Sequence, residues 1–123
     1  MPTTFDDIKE LVAHLGGVEE STSYGTPSLK VVGKSFCRLW GEREYERYGV
    51  HDSEVLVVFC DVEAKPFLIA TGGGALFSTP HYDGHGAVLI RLKDITRQEL
   101  AHHLEESYLL KAPPSRKDTT GGP

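Results

Sequence analysis

Glu54-Val55-Leu56-Val57-Val58-Phe59 is the stretch on which the fold turns. One acid is followed by an unbroken apolar run rich in valine. β-Branched and aromatic side chains suit a pleated backbone. Successive residues of a strand point to opposite faces, so a run that is apolar at every position is apolar on both faces. Such a strand belongs inside a sheet, covered on both sides or lying beside a helix.

The flanking segments supply the rest of that sheet. Ala87-Val88-Leu89-Ile90-Arg91-Leu92 is a second firm strand, with Val88, Ile90 and Leu92 on one face. A short strand over residues 75–79 precedes it. Ser28-Leu29-Lys30-Val31-Val32 and Ser35-Phe36-Cys37-Arg38-Leu39-Trp40 flank Gly33-Lys34. Two strands joined by two residues, one of them glycine, make a β-hairpin. Leu29 and Val31 share a face that Lys30 does not. The second arm is apolar on both faces, which leaves its facing open. Val18-Glu19-Glu20-Ser21-Thr22-Ser23-Tyr24 is extended in character, and Gly25-Thr26-Pro27 reads as a break. Residues 41–53 hold Glu42, Arg43, Glu44, Glu46 and Arg47 and read as an exposed connection, a long hairpin arm.

Helices are expected at both ends. Thr4 and Asp7 have the spacing of a capping box, and Asp6 and Asp7 suit the positive end of a helix dipole. Ile8, Leu11, Val12 and Leu15 follow as a helical stripe, and Gly16-Gly17 ends it, giving a helix over residues 4–15. The last helix runs over residues 96–112, capped by Asp94 or Thr96 and stopped by Pro113-Pro114. Leu100, His103, Leu104, Ser107 and Tyr108 form its stripe. Residues 61–70 hold a short helix with Pro66 in its first turn, and Gly72-Gly73-Gly74 is a flexible link. The sum is an α+β fold, a single antiparallel sheet with the N- and C-terminal helices packed on one face. Residues 1–114 make a single domain and residues 115–123 a polar tail expected to be disordered.

Composition narrows the function classes. The chain has 123 residues, is 39% hydrophobic and carries a net charge of −5. An acidic total disfavours sequence-independent binding to phosphate backbones. No apolar stretch is long enough to span a membrane. The N-terminus lacks the basic and apolar regions of a signal peptide, so a cytoplasmic protein is expected. Cys37 and Cys60 lie in apolar runs whose spacing matches no zinc motif, and reduced thiols are expected.

Chemically capable side chains concentrate in Thr79-Pro80-His81-Tyr82-Asp83-Gly84-His85-Gly86. Imidazole and carboxylate are suitable ligands for zinc, iron or nickel, and His81, Asp83 and His85 would share one side of an extended strand. Asp83-Gly84 breaks that geometry, because the pair favours a tight turn in which Asp83 binds its own backbone. A histidine beside an aspartate could also shuttle protons, but no positioned nucleophile accompanies it. The three glycines at 72–74 lack the Gly-Lys-Ser/Thr of a phosphate loop. Lys30, Lys34 and Arg38, interleaved with Phe36 and Trp40, could track a nucleic-acid backbone; from the residues alone a solvated hairpin edge is the favoured reading, since three cations are few. His102 and His103 point about 100° apart on a helix and do not face one partner.

Taken together, three segments resemble the MmcQ/YjbR-like family of small bacterial proteins. They are Gly17-Val18-Glu19-Glu20-Ser21-Thr22-Ser23-Tyr24-Gly25-Thr26-Pro27, then Lys30-Val31-x-Gly33-Lys34-x-Phe36-x-Arg38-Leu39, then Thr79-Pro80-His81-Tyr82-Asp83-Gly84-His85. The resemblance covers roughly residues 4–114. It implies a compact α+β fold of the CyaY/frataxin-like, double-wing arrangement and carries the family's label of predicted DNA-binding protein. Members often have an aromatic residue and a proline where this chain has His85-Gly86, a departure expected to loosen the turn. The resemblance and the hairpin cations give the first expectation: a non-enzymatic binding protein that engages DNA weakly through Lys30, Lys34 and Arg38. The alternative is a small-ligand or metal-binding protein whose site lies between Ser23-Pro27 and His81-His85, using Tyr24, Thr26, His81, Tyr82, Asp83 and His85. No cofactor is expected. The test between them is spatial: whether these two turns meet at one cleft.

Overall fold

The structure is a computed structural model that describes residues 3–23 and 25–112. Tyr24 and the expected tail at 115–123 lie outside the described residues. The elements in chain order are α1 (Phe5–Leu11), β1 (Val18–Ser23), β2 (Thr26–Val31), β3 (Lys34–Leu39), α2 (Glu42–Tyr48), β4 (Val55–Phe59), α3 (Lys65–Thr71), β5 (Leu76–Phe77), β6 (Ala87–Arg91) and α4 (Arg97–Lys111). A single 3-10 turn, Leu92–Asp94, leads from β6 toward α4. The strands form one antiparallel sheet in the order β1-β2-β3-β4-β6-β5. β4 is interior, as its two-faced apolar run requires. Val58 and Leu56 join the main core under α1 and α4, and Val55 and Val57 join a smaller core on the other side.

The terminal helices lie on one face, each for the reason its sequence carries. The Thr4 hydroxyl accepts from the Asp7 amide, and the Asp7 carboxylate accepts from the Thr4 amide, closing the capping box. Ile8 and Val12 are fully buried, and Leu11 and Leu15 pack against the same core. α1 stops at Leu11, short of the expected Leu15. On α4, Leu100, Leu104, Ser107 and Tyr108 face the sheet, and the Tyr108 hydroxyl donates to the Gly16 carbonyl at the end of the first segment. Among the described residues no helix is long and apolar enough to cross a membrane.

β3 owes its ambiguous pattern to a bulge. Leu29 pairs with Cys37 and Lys30 with Ser35, so Phe36 is an extra residue in β3. The insertion turns Phe36 and Cys37 together into the main core. It also puts Ser35 on the opposite face, where its hydroxyl meets that of Ser28 at 2.8 Å. The Phe36 carbonyl at the bulge accepts from Ser107 Oγ, which in turn accepts from the Phe59 amide at 2.8 Å. Ser107, fully buried, thus ties α4 to β3 and β4.

Three expectations are corrected. Residues 41–53 are not an exposed arm: they contain α2, started by Gly41 and ended by Gly49 at φ 67°. Glu44 returns to the Gly41 amide at 3.0 Å, and Tyr45 and Tyr48 pack on Trp40, each with ring centroids 5.5 Å away. The break at residues 25–27 is narrower than expected, since β2 already begins at Thr26, opposite Ser23. The hairpin loop is Val32-Gly33 rather than Gly33-Lys34, with φ of 49° and 76°. Positive φ at both central residues is the two-residue turn that matches strand twist, and a β-branched residue fits it poorly. Val32→Asn is therefore expected to raise stability by about 1 kcal/mol, read from urea unfolding midpoints. An unchanged midpoint would show that Val32 carries no strain.

Candidate ligand cleft

The sheet face away from the terminal helices is only partly covered. Arg38 sits opposite Ser28 and Val57, and Val57 sits opposite Leu89, so these residues share that face. α2 covers one end of it through Trp40, Tyr45 and Tyr48. Beyond α2 the face is bounded by two turns. At one, Gly25 takes φ 78° and Thr26 Oγ1 donates to the Ser23 carbonyl at 2.9 Å. At the other, residues 79–86 coil tightly: the Tyr82 and Asp83 amides donate to the Thr79 carbonyl at 2.8 and 3.0 Å, and the His85 amide to the Tyr82 carbonyl at 3.0 Å.

This second turn is anchored from beneath. Lys65, only 5% exposed at the start of α3, donates to the carbonyls of Tyr82 and His85. A buried ammonium is tolerated when its protons find acceptors. Gly86 follows, and a Cβ there would lie 2.7 Å from the Cys60 carbonyl oxygen. The turn is therefore pinned at its middle and its C-terminal end, and His85-Gly86 does not loosen it.

Between the two turns is an open cleft of about 970 Å³. Its floor is apolar: Val57 and Phe59 from the middle and end of β4 and Ala87 from the start of β6, beside the Tyr82 ring. Gly25 and Thr26 form one wall, and His81, Tyr82 and His85 the facing one. Arg38 and the first turn of α2, with Glu42, Arg43 and Glu44, close the side. Ligand sites of 300–1,000 Å³ with an apolar lining and a few polar groups are ordinary.

The polar groups of the deep wall bind one another. Arg38 grips both carboxylate oxygens of Glu44, at 2.9 and 2.7 Å, and donates to the Tyr82 hydroxyl at 3.1 Å and the Leu39 carbonyl at 3.2 Å. The Tyr82 hydroxyl in turn donates a hydrogen bond to Glu44 at 3.1 Å. Bidentate, charge-assisted contacts of this kind are the strong ones. Burial pushes the Glu44 carboxyl up, but the Arg38 guanidinium and the Gly41 amide outweigh it and hold the group below the usual range. Burial pushes the Tyr82 phenol up, against the pull of Arg38. At the rim the balance differs. His81 and His85 are exposed, with their rings stacked 6.3 Å apart at 29°, and His81 meets Tyr82 edge-on at 5.1 Å.

A family model described as YjbR matches residues 13–110. The chain belongs to the YjbR family. Uncharacterised proteins of Mycobacterium tuberculosis and Mycobacterium bovis are 43% identical to it over 53 residues, a match spanning 43% of this chain and 41% of the relatives' length. The crystal structure of Deinococcus radiodurans protein DR2400, described as a DUF419 domain, superposes with a TM-score of 0.68 at 20% identity. That superposition covers 100% of this chain and 94% of the other, and it establishes the fold alone.

In this YjbR chain the singled-out residues divide. Thr26, His81, Tyr82 and His85 line one cleft, whereas Asp83 turns away, accepting from Ser78 Oγ at 3.0 Å instead of from its own backbone. Tyr24 lies outside the described residues. Of the three hairpin cations, Lys30 and Arg38 share a sheet face and Lys34 does not. Arg38 is in the cleft beside Glu44, Lys30 is half-buried opposite Glu19, and Lys34 is exposed past the turn. Among the described residues no three His, Cys, Asp or Glu side chains are grouped to hold a metal ion. Cys37 is buried, which pushes its thiol up to about 12; Cys60 is half-buried, and neither lines the cleft. Sequence reasoning missed Glu44, Arg43 and Lys65. The Gly41-x-x-Glu44 spacing with Gly49 beyond was a readable helix signal for the first two. Nothing local marks Lys65, whose acceptors lie 17 and 20 residues away.

Proposed function

We propose that the chain is a binding protein for a small molecule held in the cleft between residues 25–26 and the turn at 79–86. The observation that carries this reading is the convergence of those two turns over the apolar floor of Val57, Phe59 and Ala87. Binding rather than catalysis is favoured because the strongest polar groups, Arg38, Glu44 and Tyr82, are spent on each other. The lining contains no serine or cysteine among the described residues. A thermal-shift screen of small organic molecules, followed by amide NMR mapping of each hit, tests the reading. A hit at a hundred times its dissociation constant should add about 2.7 kcal/mol of stability. Its shifts should centre on Gly25, Val57 and Ala87. Hits that map elsewhere would overturn it.

DNA binding is the second reading, supported by Lys30 and Lys34, which form no ion pair among the described residues. Two phosphate contacts would give a salt slope of only about −2 in log-log form, so a labelled duplex should bind weakly and lose affinity about tenfold between 50 and 200 mM salt. Anisotropy unchanged by Lys30→Gln with Lys34→Gln would remove that reading and leave the cleft untouched.

A further inference from the structure

The division of the cleft into a spent wall and an unspent rim limits what can bind there. Among the described residues the side chains of Glu44 and Tyr82 are satisfied from within the protein: both carboxylate oxygens receive Arg38, and the phenol bridges the two. Arg38 donates through both terminal nitrogens to partners in its own chain. A ligand would have to break these contacts to use them. Among the described residues the deep floor offers Val57, Phe59, Ala87 and the Tyr82 ring, which is apolar surface.

The rim is different. Arg43 is exposed on the first turn of α2 and has neither ion pair nor hydrogen bond among the described residues. His81 and His85 face it from the opposite turn, with ring contacts but no hydrogen bond from their ring nitrogens among the described residues. All three can donate hydrogen bonds. One acid, Glu42, stands at the same rim. This concentration of donors stands out on a chain whose net charge is −5.

We infer that the cleft takes an organic anion: a flat apolar body laid on Val57, Phe59 and Ala87, with one acidic head group at the rim between Arg43 and the His81–His85 pair. The inference rests on the cleft reading above and adds charge and orientation to it. The Arg38–Glu44–Tyr82 cluster holds the wall in shape and makes no contact with the head group. Phosphate, carboxylate and sulfonate heads share the chemistry that Arg43 and the imidazoles recognise.

Two fluorescent probes with one ring system separate the claims. Anilinonaphthalene sulfonate carries the acid, and phenylnaphthylamine lacks it. Each is titrated into the labelled chain and into the variant Arg43→Gln/His81→Gln/His85→Gln, whose altered residues are all exposed. The sulfonate should shift the amides of Gly25, Val57 and Ala87 and bind the variant about tenfold more weakly, the loss expected for one charged hydrogen bond. The neutral probe should bind both chains alike. Equal sulfonate affinity for both chains, with shifts still in the cleft, overturns the anion inference and leaves the cleft reading standing. No shift at Gly25, Val57 or Ala87 with either probe overturns the cleft itself.

Discussion

Glu44→Gln is expected to lower stability at neutral pH by about 2–3 kcal/mol. The substitution keeps the shape and removes the charge. Arg38, whose side chain is 12% exposed, would stay inside with no counter-ion, and Tyr82 would lose its charged acceptor. A fully buried pair broken in this way costs about 3–5 kcal/mol; the 24% exposure of Glu44 brings the figure down. Urea unfolding at pH 7 measures it, and a loss below about 0.5 kcal/mol would place the pair with ordinary surface bridges. Removing both charges in Arg38→Met/Glu44→Leu should cost less than Glu44→Gln alone, because no uncompensated ion remains. The pH dependence has a definite sign. The Glu44 carboxyl is held below its unfolded value, so its contribution is complete above the usual carboxylate range and fades as pH falls through the lowered value. The natural chain should lose stability on acidification more steeply than the glutamine variant does.

Gly86→Ala is expected to cost about 2–3 kcal/mol, for a wholly different reason. The new Cβ would meet the Cys60 carbonyl oxygen at 2.7 Å, and that oxygen belongs to backbone that cannot swing aside. The Gly86 carbonyl meanwhile accepts from the Cys60 amide at 3.0 Å, which fixes the two segments against each other. Gly84, two residues earlier, is the control. No atom of the described residues lies within 4 Å of a Cβ there, but its φ is 80°. Gly84→Ala should therefore cost only about 1 kcal/mol, the dihedral penalty. Differential scanning calorimetry of the two variants distinguishes them. Equal losses would mean that the close approach at Gly86 relaxes freely.

These two sites mark where local sequence stops being informative. The capping box at Thr4 and Asp7, the α4 cap at Thr96 and the two-faced run of β4 were legible because each depends on neighbours within a few positions. α2 was equally local but went unread, because its buried surface is two tyrosines amid charged residues and makes no aliphatic stripe. The bulge at Phe36 was not legible: one extra residue in β3 shows only against the register of β2. Of the cleft, the turn at 79–86 and the segment at 25–27 stood out by composition. That Arg38 lines the cleft depended on Glu44, six residues on, and Tyr82, forty-four residues on.

By itself, the amino-acid sequence determined the α+β class, the central strand, the terminal helices and the two turns worth watching. Hydrophobic period, capping chemistry and glycine placement act over a turn or a strand, and one chain displays them without its fold. Only the tertiary structure decided that the two turns face each other, that Arg38 and Glu44 neutralise one another, and that Lys65 holds the histidine-bearing turn from below. Those are pairings between residues far apart in the chain, selected by burial and by the need of each buried charge for a partner.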